Sequence, residues 1–177
     1  MKLCILGGGL TGLSLAKSLV KKGLSIDIFL NKKKSDFNRS RTIGISNDNL
    51  MYFNKEILDI KKLFWGIKKI EIYSENLRNE KILNFEDNNK TIFAIIRNYQ
   101  LQSKLLKSLK KDKLCKFKQN FDYNLSNLKK YKLIINCENN NYFTKKFFAR
   151  ILKKKYDSLA YTAILKHEKI QNNTAYQ

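Results

Sequence analysis

The chain has 177 residues, enough for one domain with a substantial hydrophobic core. Its 36 Lys and Arg residues against 15 Asp and Glu residues give a formal net charge of +21. The sequence has no stretch of about 20 apolar residues, so we expect no membrane-spanning helix. Three widely separated cysteines, Cys4, Cys115 and Cys137, form neither a metal motif nor a disulfide framework, which predicts a reducing cytoplasm and no metal site.

The positive charge has two interpretations. Lysines are spread along the whole chain, Asn and Ile are abundant and proline is absent, which indicates the codon bias of an AT-rich genome acting on solvated positions. The alternative is a dedicated polyanion site, but no nucleic-acid motif accompanies the charge, so we expect no specific nucleic-acid partner. A weak attraction to an anionic bilayer is a further hypothesis.

The N-terminal 30 residues predict a strand, a glycine turn, a helix and a second strand. The first strand is the apolar run Lys2–Leu6, which leads directly into the glycine turn, so no signal peptide is expected. Gly23 ends the predicted helix, and residues 24–30 resume as a strand. The apolar residues of the helix recur at helical spacing: Leu13, Ala16, Leu19 and Val20.

Three glycines in this turn have the GxGxxG spacing of a dinucleotide-binding site. Gly7 lets the chain turn sharply, Gly9 lets the backbone approach a pyrophosphate, and Gly12 lets the helix pack close to the strand. The first helical amides, including those of Leu10 and Thr11, have no partner inside the helix and point toward the phosphates. The alternative is a glycine turn that only packs a helix on a strand, but the position between strand and helix favours dinucleotide binding.

An acidic residue that binds the adenosine ribose should end the second strand, and it is missing. The expected position falls on Leu30, followed by Asn31, which has no charge. Asp27 alternates with two isoleucines and lies too early in the strand. The sequence therefore predicts weak nucleotide affinity.

The rest of the chain predicts a mixed α/β protein without internal repeats or proline-rich linkers. Helices are predicted at 49–58, at 98–110 and at 144–152. The first has Asn47 or Asp48 as its cap, and residues 60–65 are predicted to continue or restart it. A loop is predicted at 31–41, and a turn is predicted at 138–141. Strands are predicted at 41–46, 69–74, 81–86, 91–96, 114–118, 121–125, 133–137 (a central strand) and 159–167, and 171–177 has no predicted structure.

Four segments carry a family resemblance. They are ILGGGLTGLSLAKSLVKKGLSIDIF at 5–29, SRTIGIS at 40–46, IIRNYQLQSKLL at 95–106 and YTAILKHEKIQNNTAYQ at 161–177. In this order they resemble the flavin-dependent aromatic hydroxylases of ubiquinone biosynthesis, the 2-polyprenylphenol hydroxylase group of the para-hydroxybenzoate hydroxylase fold. The fourth segment is the most specific, whereas the first is shared by many flavoproteins.

The resemblance implies a Rossmann-like FAD/NAD(P)-binding domain with a parallel sheet and the start of an antiparallel substrate layer. Residues 1–177 would be a truncated FAD-binding domain, with 67–97 and 156–177 as candidate substrate-layer strands. In that family, FAD is reduced by NAD(P)H and, with oxygen, hydroxylates a polyprenylphenol. The implied location is the cytoplasm, with a peripheral contact at the inner membrane face or with a biosynthetic complex as a hypothesis.

Carried over position by position, the resemblance implies eight cofactor-binding residues and no identified catalytic residue. Without the family, Arg41 would be interpreted as a solvated loop cation and Gln102 as an exposed helix residue. The single histidine, His167, is interpreted as a surface residue. The implied cofactor-binding residues are Gly7, Gly9, Leu10, Thr11, Gly12, Arg41, Asn98 and Gln102.

Departures from the family pattern raise a second hypothesis. Glu138-Asn139 stands where the family has an aspartate-glycine pair, Tyr142 and Lys145 replace its serine and arginine, and family members are roughly twice as long. The alternative to an active monooxygenase is therefore a truncated, non-catalytic fragment of the nucleotide-binding fold that needs a separately encoded C-terminal half. A third hypothesis, a basic binding module, rests on charge alone.

Overall fold

The computed structural model describes residues 2–30, 39–74, 76, 78, 80–88, 90–119, 121, 129–148, 152, 154–159, 161, 163–166, 168 and 173–177. Two compact units make up the chain. The first unit comprises Met1–Asn38 and Gln102–Tyr161, and the second unit comprises Arg39–Leu101 and Thr162–Gln177. No helix within the described ranges is long and apolar enough to cross a bilayer.

The described part of the chain contains both helices and strands, and four consecutive strands separate the second α-helix from the third. A turn of π-helix (Phe53–Ile57) directly follows the second α-helix. In chain order the elements are β1 (Lys2–Leu6), α1 (Leu10–Lys21), β2 (Ser25–Leu30), β3 (Thr42–Ser46), α2 (Asn47–Tyr52), β4 (Phe64–Ile67), β5 (Lys69–Ser74), β6 (Glu80–Glu86), β7 (Phe93–Arg97), α3 (Asn98–Lys110), β8 (Cys115–Gln119), β9 (Leu133–Asn136), α4 (Tyr142–Phe147) and β10 (Thr174–Tyr176).

The first unit is built on a parallel sheet with the strand order β8-β2-β1-β9. Both inner strands are nearly continuous apolar runs, as expected for parallel strands that are buried on both faces. Helix α1 packs the apolar stripe predicted from its periodicity, and the part of α3 that belongs to this unit buries Leu105 and Leu109 at i, i+4 spacing. The fully buried core residues include Leu3, Ile5, Leu13, Ile26, Ile28, Leu105 and Leu109.

The second unit contains two three-stranded sheets. One is antiparallel, with β7 between β3 and β4. In the other, β5 pairs with β6 as an antiparallel hairpin and with β10 as a parallel neighbour. The expected fold class, α/β with a parallel sheet and additional antiparallel strands, is confirmed by this topology.

Several predicted boundaries are wrong. The helix predicted at 49–58 begins at Asn47 after Ser46, so neither Asn47 nor Asp48 is its cap, and the predicted continuation at 60–65 is a turn followed by β4. The helix predicted at 144–152 is α4, which starts two residues earlier, where Asn141 caps it. Within 31–41 and 121–125, only residues 39–41 and 121 are described.

Two strand predictions need correction because pairing depends on distant residues. The run at 133–137 forms β9, but β9 lies at the edge of the described sheet rather than at its centre, and Leu133 is 52% exposed. The described residues of 159–167 form no strand, and His167 lies outside them. The strand is instead β10, within the stretch 171–177 for which no structure was predicted.

Candidate dinucleotide-binding site

The glycine turn lies at the switch point of the parallel sheet. From β1 the chain adds β2 and then β8 on one side, and it then returns to place β9 on the other side of β1. In open α/β sheets, ligands bind outside the carboxyl ends of the strands at the point where this direction reverses. The turn follows β1, and Glu138 follows β9, so both lie at that point.

Two of the three motif glycines are required by close contacts. Gly7 has φ of +114°, a conformation that side chains disfavour, and a Cβ there would lie 2.9 Å from the Cγ of Glu138. A Cβ at Gly12 would collide with the carbonyl oxygen of Gly7. The close approach of helix α1 to strand β1 therefore depends on a glycine at position 12, as the motif predicts.

Gly9 has a different role, because the described residues leave the space beside it open. Apart from its two chain neighbours, no described residue has an atom within 4 Å of a Cβ built on Gly9, and the φ of −75° at Gly9 is an ordinary extended conformation. Its carbonyl oxygen accepts the first helical hydrogen bond, from the amide of Leu13 at 3.0 Å. The amides of Leu10, Thr11 and Gly12 precede that bond, so helix geometry leaves them available to an anion in the open space beside Gly9.

Gln102 lies against the same turn. Its side-chain amide donates a hydrogen bond to the carbonyl oxygen of Gly8 at 2.8 Å, within the first unit. The side chain is therefore half-buried and holds the turn, rather than being an exposed helix residue.

The ribose end of the site does not fit a nucleotide as well as the phosphate end. A Cβ at Gly8 would collide with a methyl group of Leu30, so the Leu30 side chain lies directly on the Gly8 backbone. A leucine cannot accept a hydrogen bond from a ribose hydroxyl. The glycine turn thus fits the pyrophosphate of a dinucleotide, whereas strand β2 ends in an apolar contact at the position of the ribose ligand.

A network of amides and hydroxyls orders the chain after β9. The Asn136 Oδ1 accepts from the backbone amide of Glu138 at 3.1 Å and from the Asn141 side chain at 2.6 Å. Asn141 Oδ1 accepts from the Thr144 amide at 3.0 Å, and the Thr144 hydroxyl donates to the Glu138 carbonyl at 3.0 Å. The network fixes Glu138 beside Gly7, and neither Glu138 nor Gly8 was predicted as a site residue. The sequence did carry a signal for Glu138, because this residue directly follows an apolar strand, as site residues in such sheets do.

Asp27 cannot take the place of the missing ribose ligand because its side chain is fully buried within β2, where one carboxylate oxygen is already paired. The buried Oδ2 lies 2.6 Å from Lys118 Nζ and 3.0 Å from Lys2 Nζ, and it accepts from the Tyr131 hydroxyl at 2.7 Å. Burial alone would raise the pKa of Asp27, but the hydrogen bonds from Lys118, Tyr131 and Lys2 outweigh it and lower that pKa. Burial and the bond to Asp27 raise the pKa of Tyr131 to about 12.

The remaining predicted site residues, Arg41 and Asn98, lie in the second unit. The backbone amide of Asn98 donates to the carbonyl oxygen of Arg41 at 3.0 Å, which joins the start of β3 to the start of α3. The Arg41 side chain is exposed. The buried Oδ1 of Asn98 has no hydrogen-bond partner in the described part of the chain, and as an acceptor it suits a hydroxyl or amide donor.

The described residues contain no group of His, Cys, Asp and Glu that could hold a metal ion. Burial raises the pKa of the Cys4 thiol to about 12 and that of Cys115 to about 11. Both thiols are therefore protonated at neutral pH, which makes them poor nucleophiles.

Comparison with known proteins yields structural relatives only. No family model matches the sequence, and no curated protein matches it. A probable FAD-dependent monooxygenase from Pseudomonas aeruginosa, PqsL, superposes with a TM-score of 0.65 at 10% identity, covering 88% of this chain and 48% of that one.

Two further solved structures superpose over a shorter part of the chain. The p-nitrophenol 4-monooxygenase PnpA from Pseudomonas putida has a TM-score of 0.56 at 17% identity, covering 67% of this chain and 31% of that chain. HpxO from Klebsiella pneumoniae, solved with FAD and uric acid, has a TM-score of 0.52 at 18% identity, covering 66% of this chain and 30% of that chain. The chain therefore has the mixed α/β fold of FAD-dependent monooxygenases and spans half or less of their length.

Proposed function

We propose that this chain is the flavin-binding part of an FAD-dependent aromatic-ring monooxygenase. The observation that carries the proposal is the space that the described residues leave open beside Gly9, at the N-terminus of α1 and at the switch point of the sheet. A pyrophosphate is the anion that such a turn fits. The fold shared with FAD-dependent monooxygenases supports FAD as the dinucleotide.

In this proposal the residues of the first unit bind the cofactor and position it. The amides of Leu10, Thr11 and Gly12 donate to the pyrophosphate, and Gln102 keeps the Gly8 carbonyl turned away from it. When bound, FAD would supply the redox chemistry that hydroxylates the ring, with NAD(P)H as the proposed reductant and molecular oxygen as the source of the hydroxyl oxygen. The proposed substrate, a polyprenylated phenol of ubiquinone biosynthesis, rests on the sequence resemblance alone.

A second candidate is a non-catalytic protein that keeps the nucleotide-binding fold and is completed by a separately encoded half. The apolar contact between Leu30 and Gly8 favours it, because the cofactor would lose its ribose hydrogen bonds.

The test is an FAD titration followed by absorbance and flavin fluorescence, with gel filtration to detect retained cofactor. The diagnostic variant is Gly9→Asp. Aspartate is a better helix N-cap than glycine, so unfolding should need the same or a higher denaturant concentration. Its carboxylate would repel the pyrophosphate, so FAD affinity should fall at least about tenfold. Equal FAD binding by both proteins would exclude the site at this turn.

The two candidates differ in a second assay. A monooxygenase should oxidise NADPH in an oxygen-dependent reaction after FAD is bound. A protein that binds FAD with the expected Gly9→Asp effect but oxidises no NADPH would support the non-catalytic candidate. A wild-type protein that binds no FAD at all would contradict the first proposal.

A further inference from the structure

Strand β6 is an edge strand of the second unit, and it is exposed along its whole length. Its inner edge pairs with β5, and no other described strand pairs with its outer edge. All seven of its residues are exposed, including the apolar Ile82 (49%), Leu83 (50%) and Phe85 (49%). Such an edge presents a row of backbone donors and acceptors to another strand. The outer edge of β6 is therefore a candidate interaction surface.

One face of the hairpin formed by β5 and β6 is apolar. Leu83 stands opposite Ile72, and Phe85 stands opposite Ile70, so these four side chains lie on the same face. Leu83 and Phe85 carry this face to the outer edge of the sheet, where each side chain remains half-exposed. A strand added at this edge would cover them, which is favourable for apolar groups.

The opposite face of the hairpin is polar. Asn84 stands opposite Glu71, and Glu86 stands opposite Lys69. A β-bulge in β6 places Lys81 on this same face, where its Nζ lies 2.5 Å from Glu71 Oε1. The polar face thus has a lysine toward one end of β6, an asparagine near the middle and a glutamate at the other end.

The charge of this hairpin differs from that of the whole chain. Strands β5 and β6 together contain two lysines and three glutamates, whereas the chain has a formal net charge of +21. Two copies of so basic a chain repel each other over most of their surface. The hairpin has little net charge, so its edge is a place where two copies can approach.

The order of side chains along β6 is complementary to itself. We consider two antiparallel β6 strands related by a two-fold axis through Asn84, perpendicular to the sheet. Leu83 of each copy then lies opposite Phe85 of the other copy, on the apolar face. One step further out, across the bulge, Lys81 of each copy lies opposite Glu86 of the other copy, on the polar face. The pairing therefore forms two apolar pairs and two pairs of opposite charge.

The neighbouring registers on the same face lack this complementarity. An axis through Leu83 sets Phe85 opposite Glu80 when the residues are counted through the bulge. An axis through Phe85 sets Leu83 opposite Asp87. In both registers an apolar side chain faces a carboxylate, so the register centred on Asn84 is favoured.

We propose that the outer edge of β6 pairs antiparallel with β6 of a second copy of this chain, which joins two three-stranded sheets into one sheet of six strands. The contact is short, so we expect a reversible dimer with a dissociation constant on the order of micromolar. The pairing involves no flavin, so it stands or falls separately from the proposed function.

The test is sedimentation velocity of the full chain from about 1 to about 200 µM, in about 0.3 M salt to screen the net charge. We expect the mean mass to rise with concentration from that of one chain, 20.9 kDa, toward twice that value. A mass of one chain over the whole range would overturn the proposal.

Charges placed on the axis distinguish this pairing from other contacts. Asn84→Lys and Asn84→Glu each set two like charges directly opposite each other, so each variant alone should dimerise about fivefold more weakly. A mixture of the two variants sets a lysine opposite a glutamate, and its mean mass should exceed that of either variant alone. Unchanged association of the single variants, or no recovery in the mixture, would contradict the pairing.

Asn49 on α2 provides the matched control, because it is also an exposed asparagine. Asn49→Lys and Asn49→Glu change the net charge equally, and each should associate within about twofold of the wild type. A loss as large as that at Asn84 would mean that net charge, and not the β6 edge, controls association. The urea midpoint of each variant verifies that it remains folded.

A disulfide tests the register. Residues directly opposite each other in an antiparallel pair have Cα atoms about 4.5–5.5 Å apart, within the range of a disulfide. Asn84→Cys should therefore form an interchain disulfide under mild oxidation. In Glu80→Cys the two thiols would lie more than about 20 Å apart and should not cross-link. The wild type, in which Cys4 and Cys115 are buried, gives the background. Equal cross-linking of both variants would overturn the register.

Discussion

The side-chain amide of Gln102 donates a hydrogen bond to the carbonyl oxygen of Gly8, 94 positions earlier in the sequence. The bond joins helix α3 to the glycine turn within the first unit. A turn rich in glycine can adopt many backbone conformations. A hydrogen bond from a side chain on another element restricts the turn to one of them. The bond therefore connects a residue with no obvious local role to the candidate phosphate site.

Replacing Gln102 by alanine should loosen the turn. Loss of one neutral hydrogen bond lowers the free energy of unfolding by about 1 kcal/mol. If the turn holds FAD as proposed, affinity should also fall about fivefold, measured by flavin fluorescence. The control is Gln100→Ala on the same helix, whose side-chain amide donates a long hydrogen bond of 3.4 Å to the hydroxyl of its neighbour Tyr99. Equal effects from both variants would remove the special role of Gln102.

Replacing Leu30 by glutamate should increase affinity for a dinucleotide. The carboxylate would stand where the second strand ends, the position from which an acidic residue binds the adenosine ribose. We expect FAD to bind about tenfold more tightly, since a hydrogen bond to a charged acceptor is worth more than a neutral one. Leu30→Ala, which removes the methyl contact with Gly8 but adds no acceptor, is the control. A gain in both variants would mean that the leucine only obstructs the site.

Replacing Asp27 by asparagine should destabilise the first unit. The change removes the charge that pairs Lys2, Lys118 and Tyr131, and it should lower the free energy of unfolding by about 2 kcal/mol at pH 7. Asp112→Asn is the control, because its pair with Lys17 is longer, at 3.7 Å, and partly exposed, so the loss should stay below about 1 kcal/mol. Urea denaturation measures both.

The pKa of Asp27 predicts how the free energy of unfolding depends on pH. The pKa of Asp27 is lower in the folded chain than its ordinary value of 3.8. The ionised carboxylate of Asp27 therefore makes its full contribution to the free energy of unfolding above about pH 4. This contribution is lost as the pH falls through the pKa of Asp27 in the folded chain. The difference in unfolding free energy between wild type and Asp27→Asn should shrink below pH 4. A constant difference down to pH 2 would contradict the assignment.

Replacing Gly44 by alanine should strain the antiparallel sheet of the second unit. A Cβ at this position on β3 would collide with the ring of Phe93 on β7, because the ring lies over the glycine. Such overpacking costs about 1–3 kcal/mol. In the double variant with Phe93→Leu, the cost of the alanine should be smaller, and a double-mutant cycle measures this coupling. Additive effects would show that the ring does not cover Gly44.

Local patterns were sufficient for much of the fold and for the phosphate end of the site. The apolar run of β1, the glycine spacing and the helical period of α1 lie within about 20 residues, so the sequence predicts that βαβ unit directly. Helix α3 was likewise predicted from Asn98 to Lys110, because its leucines recur at helical spacing. The eight predicted cofactor-binding residues remain predictions, and Gly8 and Glu138 were not among them.

The tertiary structure decided what depends on distant residues. It places β9 at an edge of the sheet, pairs β10 with β5, lays Leu30 on Gly8, and brings Lys2, Lys118 and Tyr131 to Asp27. The side chains of a strand alternate with a period of two wherever the strand pairs, so the pattern does not give its neighbours. Likewise, the sequence does not distinguish a lysine that is solvated from one that binds a buried carboxylate. The sequence alone therefore determined the elements and the glycine turn, whereas non-local packing determined strand order and the partners of each charge.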